Sequence, residues 1–213
     1  MHRELVLFGG LGAGFLDDTW TWDGEAWHLG EPPAASPTGR YFHAAATAPA
    51  VGGVLLFGGA DAGGPLGETW AWNGDTWTEL ALPATPPESG FAAAMAHDPV
   101  GDAVVRVGGA GANQTSSATT WRFKSGGWSE LVAATPSVVG ASLLYDVAAG
   151  AHAARRPASE LDKPYVWDGG MGGDRRAPTG ALTTSPSRTT PCTGSSSWCS
   201  ARTCGRGTGR AGR

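Results

Sequence analysis

The residues able to do acid–base, nucleophilic or metal chemistry are few and scattered in this chain. His28, His43, His97 and His152 stand in separate stretches with no shared spacing, and His2 is terminal. A metal site needs several such ligands in one geometry, so no metal or other cofactor is expected. Cys192, Cys199 and Cys204 are closer together, but their spacing is no zinc pattern, and an odd number makes no disulfide framework. No nucleophile motif or Ser/His/Asp grouping appears. Asp17, Asp18 and Glu68 resemble paired carboxylates, yet each precedes a strand-like run and reads as a solvated turn or cap residue. "NQT" (113–115) is a glycosylation acceptor only if the chain is secreted. No catalytic, cofactor-binding or metal-ligating residue is assigned.

The elements that would position any site are more legible. "DTWTWDGEAWHL" (18–29) returns as "ETWAWNGDTWTEL" (68–80) and as "TTWRFKSGGWSEL" (119–131). Upstream, "LVLFGG" (5–10) returns as "LLFGG" (55–59) and "VVRVGG" (104–109), and Pro-rich spacers follow the first two units. Phe8 to Phe57 is 49 residues, Gly58 to Gly108 is 50, and Trp77 to Trp128 is 51. An apolar run, a Gly-Gly pair and spaced aromatics at a period near 50 mark a repeat architecture of small sheets.

In "TWTWDG" the period-2 rule puts Trp20 and Trp22 on one face of a strand and Thr19 and Thr21 on the other. "DG" (23–24) and "NG" (73–74) read as two-residue hairpin turns with both positions at positive φ. Strands are expected near 5–9, 18–23, 26–30, 41–48, 53–58, 68–73, 76–80, 91–98, 103–108, 118–124, 127–131 and 138–146. Large flat indoles suit the gap between stacked sheets, where each removes roughly 150–250 Å² from water. The glycine pairs read as close backbone approaches rather than phosphate loops, because no helix pattern follows them.

These marks resemble the kelch repeat of the galactose oxidase/kelch-like superfamily. The resemblance covers roughly 4–147 and rests on Gly9-Gly10, Gly58-Gly59 and Gly108-Gly109 with the aromatic pairs Trp22/Trp27, Trp72/Trp77 and Phe123/Trp128. It implies an all-β, kelch-type β-propeller, incomplete here: about three four-stranded blades over 1–150 and a partial fourth, degraded, over 151–170. Arg40 and His43 in "GRYFHAAA" match the family's strand opening near the central channel, and they are the candidate binding residues. The second unit has Gly90 and Ala93 in their places. The copper oxidases of the superfamily use two tyrosines, one crosslinked to cysteine, and two histidines. Tyr41, Tyr145 and Tyr165 have no cysteine within the repeats.

Beyond Tyr145-Asp146 the pattern breaks. The expected "LLFGG" near 151–158 is replaced by "AHAARRPASE", and "PYVWDGG" (164–170) recovers it briefly. Over 157–213 only Leu161, Val166 and Leu182 represent the large aliphatics and Phe, and ten of the fifteen basic residues lie after 150. Residues 171–213 read either as a disordered Arg/Gly/Ser/Thr/Pro-rich tail or as the product of a shifted reading frame. One base earlier, the degenerate codons of "TCGRGTG" (203–209) permit Asp-Leu-Trp-Thr-Trp-Asp-Gly. The absence of isoleucine and the thirteen Arg against two Lys fit a GC-rich gene.

The net charge of −4 over 213 residues excludes the basic surface of a nucleic-acid binder. No apolar run reaches the roughly 18 residues of a membrane span, and "MHRELVLFGG" enters a strand without a leader pattern. The expected function is a non-catalytic interaction scaffold whose loops 11–17, 60–67 and 110–117 share one rim and contact a protein or carbohydrate. Self-association through open blade edges is also expected. The alternatives are a galactose-oxidase-like carbohydrate binder or oxidase, and the non-functional product of a frameshifted gene.

Overall fold

The computed structural model describes residues 4–31, 35–82, 87–88, 90–113, 115–131, 137–148, 150–155, 165–167 and 175–176. All lie within the unit Met1–Thr179, and the second unit, Gly180–Arg213, falls outside them. The cysteines, the frame-shift motif at 203–209 and the tail over 171–213 therefore lie outside the described residues, apart from a strand at 175–176.

The described chain is all-β, built as small antiparallel sheets with a single 3-10 turn at Pro49–Val51. The first sheet comprises β1 (Leu5–Leu11), β2 (Phe15–Trp22) and β3 (Trp27–Leu29). The second joins β4 (Ala44–Ala48), β5 (Gly53–Phe57), β8 (Thr69–Trp72) and β9 (Trp77–Glu79) in chain order. Between β5 and β8 runs a short ribbon of β6 (Ala60–Asp61) and β7 (Gly64–Pro65). The third contains β10 (Ala94–Asp98), β11 (Ala103–Val107), β12 (Thr120–Lys124) and β13 (Gly127–Leu131). The fourth contains β14 (Ser142–Asp146), β15 (Ala151–Arg155), β16 (Tyr165–Trp167) and β17 (Arg175–Arg176).

Strand registers make the repeat exact at the level of single residues. Phe8 faces Thr19, Phe57 faces Thr69 and Val107 faces Thr120. One face of each of these three sheets thus carries the Phe/Val and Thr positions, and the other carries the tryptophans. Trp70, Trp72 and Trp77 with Leu56 pack onto Phe8 of the first sheet. Val104, Phe123 and Trp128 pack onto Leu55 and Phe57 of the second. Val105 and Val107 meet Val138 and Leu143 ahead of and within β14. The indoles of the second and third sheets do wedge between sheets, whereas Trp27 of the first is exposed. Two of the wedged indoles are also anchored. Trp77 Nε1 donates to Thr19 Oγ1 at 2.9 Å and Trp128 Nε1 to Thr69 Oγ1 at 2.9 Å, with ring contacts to Phe8 and Phe57 at 5.3 and 5.5 Å.

The Gly-Gly pairs join each sheet to the segment that opens the next. Gly10, Gly59 and Gly109 donate their N–H to the carbonyls of Arg40, Gly90 and Val138 at 2.9, 3.0 and 2.8 Å. The preceding glycine of each pair, at φ near 65°, lies so close to that carbonyl that a Cβ there would collide with it.

Four expectations change. The turns at 23–24 and 73–74 are not two-residue hairpins, because Trp22 pairs with Trp27 and Trp72 with Trp77 across four-residue loops. Only Gly24 and Gly74 take positive φ there. Asp23 Oδ1 instead accepts N–H bonds from Glu25 and Ala26, and Asn73 Oδ1 from Asp75 and Thr76, so the side chain builds the turn. The strands expected from 41, 91 and 138 begin at Ala44, Ala94 and Ser142. Phe42, Ala92 and Gly140 break the extended backbone just before them, at φ 54, 54 and 67°. The loop expected over 11–17 shrinks to Gly12–Gly14, since β1 and β2 extend into it. Finally, a strand forms at 151–155 despite its atypical sequence, because pairing to β14 and β16 uses the backbone, and small Ala151 and Ala153 bury readily.

Candidate functional site

Arg40 and His43 sit where the first sheet hands over to the second. Arg40 has 0% of its surface exposed, and such a cation must be paired and hydrogen-bonded. Its Nη1 donates to the Gly58 carbonyl at 3.0 Å and to Glu68 Oε2 at 3.2 Å, its Nε to the Thr38 carbonyl at 2.9 Å, and its Nη2 to Thr38 Oγ1 at 3.0 Å. Burial lowers the Arg40 pKa, and the Glu68 carboxylate opposes the shift. Every group of this guanidinium is engaged inside the fold. His43 packs edge-on against Phe8 at 5.7 Å. Burial first, and the Arg40 charge second, depress its pKa to about 4, so its imidazole is neutral at physiological pH.

Of the carboxylates read as solvated turn residues, Asp17 is exposed, though within β2 rather than a turn, and the other two are placed differently. Asp18 lies within β2 and accepts from Trp20 Nε1 at 2.6 Å. Glu68 holds Arg40. Asp18, Glu68 and Thr119 occupy one repeat position, each preceding the buried threonine of its sheet.

The next handover, from the second sheet to the third, has the same backbone and different side chains. Gly90 replaces Arg40 and Thr119 replaces Glu68, so both halves of the ion pair are gone. Leu56 is replaced by Arg106, which faces Trp121 as Leu56 faces Trp70. Its guanidinium enters the room that Gly90 leaves: a Cβ on Gly90 would lie 3.3 Å from Arg106 Nη2. A cavity of about 260 Å³ opens there, lined by Gly90, Arg106, Ser117, Thr119 and Trp121 among others. Arg106 is only 3% exposed. Its Cζ lies 4.9 Å over the Phe57 ring, and its Nε is buried with no hydrogen-bond partner among the described residues. Glu88 and Glu130 line the same cavity, but neither forms an ion pair with Arg106, whose pKa burial lowers to about 10.

Sequence reasoning missed Arg106 because it lies in a strand that reads as apolar core. The signal was available: one arginine interrupts "VVRVGG" where its two sister strands carry Leu. It also missed Phe42, an exposed aromatic at φ 54° that stacks on Phe91 at 6.4 Å and touches Tyr41 at 4.7 Å. Of the other histidines, His28 bonds Asp23 at 2.8 Å on the first sheet and His97 lies 3.8 Å from Asp102 on the third. The buried His152 of the fourth lies within electrostatic reach of His97 and Asp98. Among the described residues no three metal-ligating side chains converge, and no helix is long and apolar enough to cross a membrane.

No family model matches the chain, and no curated protein matches it. Among solved structures it is similar to YjhT, at a TM-score of 0.58 and 14% identity over 82% of this chain. The likeness is one of fold. The chain spans 65% of the length of that structure.

Proposed function

We propose that the chain is part of a kelch-type β-propeller and acts as a non-catalytic binding scaffold. Its sheets are then blades, and contact is made at the end where β1–β2, β5–β8 and β11–β12 are joined. The cavity at Arg106 carries this reading, since it opens at that end and holds a buried cation that no described residue pairs. The joining segments support it: Gly12–Gly14, the β6–β7 ribbon and the connection closed by the Ala110–Ser116 bridge all stand at that end. Loops on a rigid scaffold are where recognition residues concentrate, although fold alone names no function.

The test uses the full chain. Asp61→Lys and Glu88→Lys, on the contact end, should change the set of ligands retained on peptide and glycan arrays. Val147→Ser, in the turn at the opposite end, should leave it unaltered. Oxidation of sugar alcohols by the copper-supplemented chain would overturn the scaffold reading in favour of a galactose-oxidase-like one.

A further inference from the structure

The two handovers described above share a backbone and differ in what completes the arginine. At the first, Arg40 meets the Glu68 carboxylate at 3.2 Å. At the second, the arginine arrives from β11, the carboxylate position holds Thr119, and about 260 Å³ stays open. Arg106 is therefore a half-completed ion pair. We propose that this cavity is a binding site for a small organic carboxylate, which takes the place beside Arg106 that Glu68 takes beside Arg40.

The geometry suits a planar anion. Phe57 covers one face of the guanidinium, a cation–π contact that leaves the in-plane N–H groups free. Those donors form a rigid fork that matches a carboxylate in a bidentate manner. Burial strengthens the attraction, because the cation has already lost its water. The rest of the lining selects for a polar ligand body. Ser117 and Thr119 share a hydrogen bond at 2.6 Å, Trp121 Nε1 donates to Thr119 Oγ1 at 3.2 Å and the Thr119 N–H donates to Ser117 Oγ at 3.2 Å, so the hydroxyl pair keeps one O–H donor and one lone pair for a ligand. Glu88 and Glu130 at its margin set a limit on charge: a second negative group on the ligand meets repulsion there. The site thus takes a monoanionic carboxylate of a few heavy atoms. This rests on the proposed binding role of that end of the fold, and it names the ligand chemistry.

The test is a titration of the full chain, labelled with nitrogen-15 in arginine, with acetate, acetamide and chloride. The readout is the Arg106 Nε–H resonance, assigned by its loss in Arg106→Leu, which restores the residue type of the sister strands. The expected result is a saturable shift with acetate and none with acetamide. Arg106→Lys, which keeps the charge and loses the fork, should weaken acetate binding about tenfold or more. Thr119→Glu should abolish the shift while raising the melting temperature, because it rebuilds the internal pair of the first handover. An unmoved resonance, an equal response to chloride, or acetate binding retained in Thr119→Glu would each overturn the proposal. If these fail while array binding still responds to Asp61→Lys, the carboxylate site alone is wrong. If array binding fails too, the scaffold reading falls with it.

Discussion

Trp77 and Trp27 hold the same position in successive repeats, in near-identical sequence, yet Trp77 is 3% exposed and Trp27 is 45% exposed. Trp77 has the first sheet beneath it, with Phe8 for its ring and Thr19 for its indole N–H. The first sheet turns the equivalent face, with Leu5, Leu7, Trp27 and Leu29, to solvent. The strand pattern decides which face an indole joins, and the neighbouring sheet decides whether that face is buried. The same contrast appears in the threonines. Thr19 and Thr69 accept indole N–H bonds, whereas Thr120, 0% exposed, has a hydroxyl with no partner among the described residues.

The sharpest test of this contrast is truncation of the two tryptophans. Trp77→Ala should cost ~3–5 kcal/mol in urea unfolding, as large aromatic deletions in a core do, while Trp27→Ala should cost less than ~1 kcal/mol. Equal losses would mean that the exposed face is covered in solution.

The handover of Arg40 and His43 predicts a pH dependence. His43 titrates near 4 in the fold and near 6.5 when unfolded, so the unfolded chain binds the extra proton first. Stability from this group is complete above about pH 6.5 and is lost as pH falls towards 4, by up to ~3 kcal/mol. His43→Ala, which copies Ala93 of the next repeat, should flatten that limb of the stability–pH curve. An unchanged slope would place the acid sensitivity elsewhere.

Thr69→Val should cost ~1 kcal/mol by stranding the Trp128 indole N–H. Thr120→Val, of similar shape, should be neutral or stabilising, since it removes a buried hydroxyl with no partner among the described residues. A loss at Thr120 comparable to that at Thr69 would reveal an unseen partner. A small gain is expected at Ala92. At φ 54° it stands where the following repeat has Gly140, so Ala92→Gly should raise stability by ~0.5–1 kcal/mol through relief of left-handed strain.

Much of the fold was legible because the repeat writes the same physical demands three times. Period-2 alternation located the strands to within a few residues, and Gly-Gly marked the points where sheets meet. The turns were misread because "DG" and "NG" suggest a tight hairpin, whereas the Asx side chain of Asp23 or Asn73 favours a longer loop. The strand starts were misread because a positive φ at Phe42 is invisible in a residue type that rarely adopts it. Arg40 was legible as a special residue, but its partner Glu68 lies 28 positions away.

What the sequence by itself determined is local: strand periodicity, which residues share a face, and where a Cβ is forbidden. These follow from backbone sterics and the alternation of side chains, and they need no neighbour. Only the tertiary structure decided which tryptophans are buried, that Glu68 completes Arg40, and that Arg106 lies over Phe57 in the space left by Gly90, with no ion-pair partner among the described residues. Burial and ion pairing depend on what the next sheet brings within a few ångströms, across 28 residues for Arg40–Glu68 and 58 for Trp77–Thr19, and no single strand encodes that distance.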